Sequence, residues 1–266
     1  MNILDTIIAQ KKTEVGERKQ HTNIGELQAL PAFNNATFSF KDFLLHPDKT
    51  GIIAEFKRRS PSKGVINNAS SVTGVTSDYV KYGASAISVL TDENFFGGSL
   101  QDMVEARSNQ VPILRKDFII DEYQLIESKA FGADIILLIA ACLTREKVKT
   151  LSQLAKNIGL NVLLEIHDDE ELEHICDDVD VVGINNRNLK TFKVDISHSI
   201  DLANKIPGNK LKISESGIDN VETILLLKKN GFSGYLLGER FMKEKHPGLA
   251  FRDFVEELAA AGSSVL

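Results

Sequence analysis

Six polar residues stand out in this sequence because each closes an apolar run. Glu55 and Lys57 follow GIIA, Lys116 follows VPILR, Glu165 follows NVLL, Asn185 follows VVGI and Glu215 follows KLKIS. Extended backbone sends alternate side chains to opposite faces, so Ile53, Glu55 and Lys57 share a face, Leu163 lies beneath Glu165, and Ile213 beneath Glu215. Carboxylates and ammonium groups held above apolar layers suit acid–base chemistry, because burial lowers a lysine pKa and raises a glutamate pKa towards neutrality. Taken singly, each reads more simply as a solvated rim residue. Their shared placement at the same end of several strands instead points to catalysis, with ion-pair scaffolding of the mouth as the bland alternative.

A second constellation suits phosphate. Ser216-Gly217 and Gly238-Glu239 each follow an apolar run, and glycine there lets backbone N–H groups approach an anion closely. The segment Arg58-Arg59-Ser60-Pro61-Ser62-Lys63-Gly64 adds positive charge and hydroxyl donors. Phe95, Phe96 and Phe118 stand just past other strand ends, as core or as an aromatic wall. Apolar wall and cations together fit a substrate with a ring and anionic groups. His167, His174 and Cys176 are expected on the surface of the connection after residue 166, without the partners of a metal or nucleophile site.

The elements that must position these groups follow from the hydrophobic pattern. Eight short apolar runs qualify as strands: 51–57, 86–90, 111–117, 133–139, 161–166, 181–185, 210–215 and 234–239. Between them lie helical stretches such as SLQDMVEARSNQ, EYQLIESKAFG, TREKVKTLSQLAKNIG and NVETILLLKKNG. Several are punctuated by glycine, at Gly132, Gly159 and Gly231. Repeated βα units in this number predict a closed (β/α)8 TIM barrel, whose active site lies at the C-terminal ends of its strands. The rival, an open parallel sheet, lacks a GxGxxG after its first strand. Residues 1–266 are read as one barrel domain, with 1–50 an N-terminal helical extension. There Ile3, Leu4, Ile7, Ile8 and Val15 form the apolar face of a helix, against Asp5, Gln10, Lys11 and Lys12. A second short helix is expected over Ser39 to Leu45. The extension is either a plug under the barrel or a lid over its catalytic end.

Composition narrows the function class. The 266 residues carry Lys+Arg 31 against Asp+Glu 37, a net charge of −6, so no global basic field attracts nucleic acid. Cys142 and Cys176 show no CxxC spacing and suggest a reducing compartment. The six histidines form no HExxH-type metal pattern. The N-terminal apolar run is too short for a signal peptide or membrane span. The expectation is a cytoplasmic protein with no membrane partner. Tryptophan is absent, while phenylalanine numbers 14 and tyrosine 4.

The segments IIAEFKRRSPSKG (52–64), ISVLTDENFFGGS (87–99), ILRKDFIIDEYQ (113–124), LLEIHDDEEL (163–172), GINNRNLKTF (183–192), SESGI (214–218) and LLGERFMK (236–243) resemble indole-3-glycerol phosphate synthase. They run in the family's order over nearly the whole barrel, and ILDTIIAQKKTEV fits its N-terminal extension. The resemblance implies ring closure of 1-(2-carboxyphenylamino)-1-deoxyribulose 5-phosphate, with loss of CO2 and water, and no metal or organic cofactor. At matching positions it implies Lys116 as general acid to the sugar carbonyl. Lys57 would hold the substrate carboxylate and is a second candidate donor, for the dehydration half. Glu165 would stabilise the cationic intermediate or take a proton, Glu55 and Asn185 would orient Lys57 or the sugar hydroxyls, and Glu215 would bind a hydroxyl. Ser60, Ser216, Gly217, Gly238 and Glu239 match phosphate-loop positions. Arg187 and Leu189 match site-lining positions, and Phe96 and Phe118 the aromatic pocket. Arg58, Arg59 and Arg115 fill variable positions. A monomer is expected, with a weak dimer as the alternative. Rival readings are another phosphate-binding barrel, such as phosphoribosylanthranilate isomerase or tryptophan synthase α subunit, and a non-catalytic phosphosugar-binding barrel.

Overall fold

The computed structural model describes residues 3–188 and 193–263. Eight parallel strands close on themselves: β1 (Ile52–Phe56), β2 (Ala86–Leu90), β3 (Ile113–Lys116), β4 (Ile135–Ile139), β5 (Asn161–Ile166), β6 (Val181–Asn185), β7 (Leu211–Glu215) and β8 (Gly234–Leu237). Each pairs with its sequence neighbour and β8 returns to β1, which is the (β/α)8 barrel expected from the pattern. Almost every strand residue is buried, as a sheet covered on both faces requires. Strand parity sorts them. Ile53, Ala86, Leu114, Ile135, Leu137, Leu163, Val181, Ile213 and Leu236 fill the barrel interior, while the alternate residues pack outward against helices.

The outer layer includes α4 (Val72–Lys81), α6 (Leu100–Ala106), α7 (Glu122–Ala130), α8 (Arg145–Asn157), α9 (Ile196–Ala203), α10 (Val221–Lys229) and α12 (Pro247–Ser263), with short α5 (Glu93–Phe96) and α11 (Glu239–Met242) after β2 and β8. Most begin at a side-chain cap. Asp121 and Gln124 form a capping box on α7, Thr144 caps α8 and Asn220 caps α10. The punctuating glycines Gly132, Gly159 and Gly231 all take the left-handed conformation that such helix ends need. After β5 the chain forms a 3-10 turn, Asp169–His174, instead of an α-helix. Asp168 accepts from the N–H groups of Glu170 and Glu171 and tightens it.

The extension splits the two roles offered for it. In α1 (Ile3–His21), Ile3, Leu4 and Ile7 reach the cavity at the C-terminal end of the barrel. Further along, Val15 packs with Leu27 of α2 (Ile24–Gln28) and with Tyr123, Ile126 and Ala130 of α7. The second predicted helix is α3 (Phe40–Leu44), and its Phe40 and Leu44 join the interior cluster. Asn161 and Asp134, at the starts of strands, bind the backbone of Phe40 and Phe38. So α1 covers the catalytic end and α3 plugs the opposite one. Lys11 contradicts the helical-face reading: it is fully buried, because three carboxylates meet it there.

Candidate active site

Strand register assembles the six polar residues. Glu165 sits opposite Gly183, Asn185 opposite Glu215, and Glu215 opposite Leu236, so their side chains converge where the barrel interior opens. The opening is a cavity of about 360 Å³. Of the fifteen site residues expected from sequence, all except Leu189 line it, and Leu189 lies outside the described residues. Phe95 does not line it, whereas Phe96 and Phe118 do, as a tilted ring pair with centroids 6.2 Å apart.

At the cavity floor Lys116 Nζ lies 3.5 Å from Glu165 Oε2 and 3.7 Å from Glu215 Oε2. Lys57 Nζ pairs with Glu55 Oε1 at 2.9 Å, and Ser88 Oγ donates to Glu55 Oε2. Burial alone would lower the Lys116 pKa, yet Glu165, Glu215 and Glu55 together hold it well above the ordinary lysine value. This reverses the expectation that burial makes the lysine titrate near neutrality. Burial likewise opposes ionisation of Glu165, but Lys116 and His167 hold that carboxyl well below the usual carboxylate range. Glu215 goes the other way. Burial and the adjacent Glu165 carboxylate push it up to about 8, so it is a neutral acid at pH 7. Glu165 Oε2 and Glu215 Oε2 both point to Lys116, while Glu215 Oε1 is buried against Gly183. One ammonium donor, one carboxylate and one neutral acid therefore meet within a single space.

Around the rim, the loops after β1, β7 and β8 meet. Ser60 and Lys63 come from the hairpin after β1, and Lys63 reaches Glu239 at 3.7 Å. Arg187 approaches Glu239 from the other side at 3.9 Å, and Asn185 Oδ1 accepts the Arg187 N–H. Ser216 and Gly217 both take positive φ, and a Cβ on Gly217 would lie 2.3 Å from Val194. Gly238 admits Glu55, since a Cβ there would meet Glu55 Cβ at 2.7 Å. The arginines of the basic loop do not contribute as expected. Arg58 forms a two-pronged pair with Asp102 and stacks on Phe56, and Arg59 donates to the carbonyls of Glu93 and Asn94. They brace the loop, and Lys57 and Lys63 supply its charge at the cavity.

Several residues behind the cavity escaped the sequence reading. Asn186 is buried and donates to Ser214 Oγ and the Ser216 carbonyl, which sets the left-handed turn. Arg115 faces outward from β3, fully buried, against Asp117, Glu127, Thr91 and Ser128. His167, expected on the surface, is nine-tenths buried, with Nε2 3.2 Å from Glu165 Oε1 and Nδ1 3.3 Å from Glu171 Oε2. Strand alternation carries no signal for it, because His167 lies past the end of β5, in the turn that leads to Glu171. Among the described residues no group of three or more His, Cys, Asp or Glu is arranged to hold a metal ion.

The family model matching this chain is indole-3-glycerol phosphate synthase, over residues 4–254. A relative of that name from Bacteroides thetaiotaomicron is 49% identical over 258 residues, covering 97% of this chain and 99% of its own. Another, from Polynucleobacter asymbioticus, is 38% identical over 262 residues, covering 95% and 98%. Among solved structures, the tryptophan synthase complex from Pyrococcus furiosus aligns with TM-score 0.60 at 18% identity, over 80% of this chain and 99% of that one. Tryptophan synthase subunit alpha from Legionella pneumophila gives 0.61 at 14% identity, over 85% and 98%. These two likenesses speak for the barrel alone.

Proposed function

The chain belongs to the indole-3-glycerol phosphate synthase family, and from that premise we propose how its own side chains divide the reaction. The reaction converts 1-(2-carboxyphenylamino)-1-deoxyribulose 5-phosphate to indole-3-glycerol phosphate, a ring-closing decarboxylation in tryptophan biosynthesis. The ring carbon that carries the carboxylate attacks the sugar carbonyl, CO2 leaves, and loss of water completes the indole.

Lys116 is the acid for ring closure. Its ammonium stays charged at any physiological pH, and the alkoxide forming on the attacked carbon is far more basic than an amine, so the proton still moves downhill. Lys57 binds the departing carboxylate and is the candidate donor for the dehydration half, with Glu55 holding its Nζ at 2.9 Å. Glu165, kept ionised, stabilises the cation that forms when the ring loses aromaticity and accepts a proton as aromaticity returns. Glu215, neutral at pH 7, binds a sugar hydroxyl, and Asn185 orients the sugar from beside Glu165. Phe96 and Phe118 grip the ring. Ser60, Ser216, Gly217, Gly238 and Glu239 hold the phosphate, the last through its backbone, with Arg187 on the wall after β6. This reading is supported by one observation above all: Lys116 stands between an ionised and a neutral glutamate at the floor of the cavity.

The chain is read as a single barrel domain with residues 1–50 as its extension, a monomer working in the cytoplasm without nucleic-acid partners. No helix among the described residues is long and apolar enough to cross a membrane, and both cysteines are free. The test of the chemistry is kinetic. Lys116→Ala is expected to lower kcat by about 10²–10⁴-fold with the fold intact, and Glu165→Gln to lower kcat rather than raise KM alone. An unchanged kcat in Lys116→Ala would overturn the assignment of the acid.

A further inference from the structure

We propose that His167 is a positioning residue for Glu165: an imidazolium, itself tied to Glu171, that fixes one oxygen of the catalytic carboxylate and leaves the other to the substrate. The proposal rests on the reading of Glu165 given above. His167 does not line the cavity, so it acts through Glu165 and not on the substrate.

The geometry is a carboxylate–imidazole–carboxylate array running outward from the barrel. Glu165 Oε1 faces His167 Nε2 at 3.2 Å, and His167 Nδ1 faces Glu171 Oε2 at 3.3 Å. The same Glu171 oxygen accepts the His167 backbone N–H at 2.6 Å, so Glu171 holds ring and backbone together. On the other side His198 Nε2 meets the His167 carbonyl at 3.0 Å and pins the loop from α9. A neutral imidazole offers one N–H and one bare nitrogen; only the protonated ring presents donors to both carboxylates.

The surrounding charges agree. Burial alone would depress the His167 pKa, but the Glu165 and Glu171 carboxylates beside its two ring nitrogens push it up to about 10. Lys116 opposes protonation of Glu165 from within the barrel, and the Cys142 thiol, driven up to about 12 by burial and Glu165, remains neutral beside it. His174 is bonded to the backbone carbonyls of Glu171 and Leu143 and takes no part in the array. With Oε1 against His167, Glu165 turns Oε2 towards Lys116, 3.5 Å away. The sequence carries this device as E-x-H-x-x-x-E, from Glu165 through His167 to Glu171.

The experiment combines NMR of the histidine ring nitrogens with pH profiles of kcat, in wild-type protein and in His167→Gln, Glu171→Gln and Glu165→Gln. Wild-type His167, identified by the signal that His167→Gln removes, is expected to remain an imidazolium to at least pH 9 and to titrate lower in Glu171→Gln. His167→Gln is expected to lower kcat with little change in KM. It should also move the acid limb of the profile up by about one unit or more, as loss of a cation close to a carboxylate requires. His167→Lys, which restores the charge, should return that limb towards its wild-type position. A ring already neutral at pH 7 would overturn the proposal, and so would a fall in kcat with no movement of the pH profile. Full activity in Glu165→Gln would instead overturn the reading of Glu165, and the ring-nitrogen titration would still decide whether the array exists.

Discussion

Glu215 is the residue whose environment has the sharpest consequence. Its carboxyl is buried beside Glu165 and pushed up to about 8, so its neutral form prevails at pH 7 and is lost just above. If the neutral acid binds the sugar hydroxyl, wild-type kcat should fall above pH 8. Glu215→Gln keeps a neutral amide in its place and should carry activity to higher pH, at some cost in kcat below pH 7. The stability sign is fixed too. A carboxyl with its folded pKa above the unfolded value of about 4.3 adds stability below that pH and loses it as pH rises through about 8. Unfolding temperatures at pH 9 should therefore favour the glutamine variant relative to their difference at pH 6. An alkaline limb that persists near 8 in Glu215→Gln would assign it to another group. At this scale the sequence was legible for the residues that touch the cavity, because strand ends and parity place them. It was not legible for His167 or Asn186. Each acts one layer back, through a loop whose path no periodicity specifies.

Among the elements, α1 joins the rest through charge as much as through apolar packing. Lys11 and Arg18 are seven residues apart, two turns along one face. Lys11 pairs with Glu14, Asp92 and Asp117 at 2.8 to 2.9 Å, and Arg18 pairs with Glu127. Between those ends Arg115 bridges Asp117 to Glu127, so a continuous ionic chain runs from the helix, through β3 beside Lys116, and back. Burial opposes ionisation of Asp117, and Arg115 and Lys11 overcome it, holding the carboxyl well below its ordinary range. Lys11→Met keeps most of the stem but strips the buried Asp92 carboxylate of its cation and leaves Asp117 with Arg115 alone. We expect a loss of about 3–5 kcal/mol in denaturant unfolding, together with a higher KM, since Ile3, Leu4 and Ile7 on the same helix line the cavity. Unchanged stability would mean that apolar packing at Val15 alone seats the helix. The sequence showed this helix and its buried face at Ile7 and Val15, and misplaced Lys11. Hydrophobic periodicity assumes that lysine faces water, and it cannot register a cation whose three partners come from its own next turn, from the loop after β2 and from the end of β3.

For the whole molecule, the charge balance and the site pull in opposite directions. The net charge of −6 opposes approach of a substrate that carries both a phosphate and a carboxylate, and capture therefore falls to the local cations Lys57, Lys63, Lys116 and Arg187 around one cavity. The absence of tryptophan then supplies a direct observation of turnover. The protein's own emission is limited to four tyrosines, and the reaction builds an indole ring that neither protein nor substrate contains. Mixing the protein with 1-(2-carboxyphenylamino)-1-deoxyribulose 5-phosphate should produce indole emission from a background without any. Its growth should match, one for one, both the loss of the substrate's anthranilate signal and the CO2 released. Glu165→Gln and Lys116→Ala should slow all three signals in parallel. An isomerase-type barrel would alter the substrate without CO2 or indole, and a binding barrel would perturb the anthranilate signal to a fixed plateau set by protein concentration. Either result would separate the catalytic activity of this chain from the barrel that it shares with structures less than a fifth identical to it.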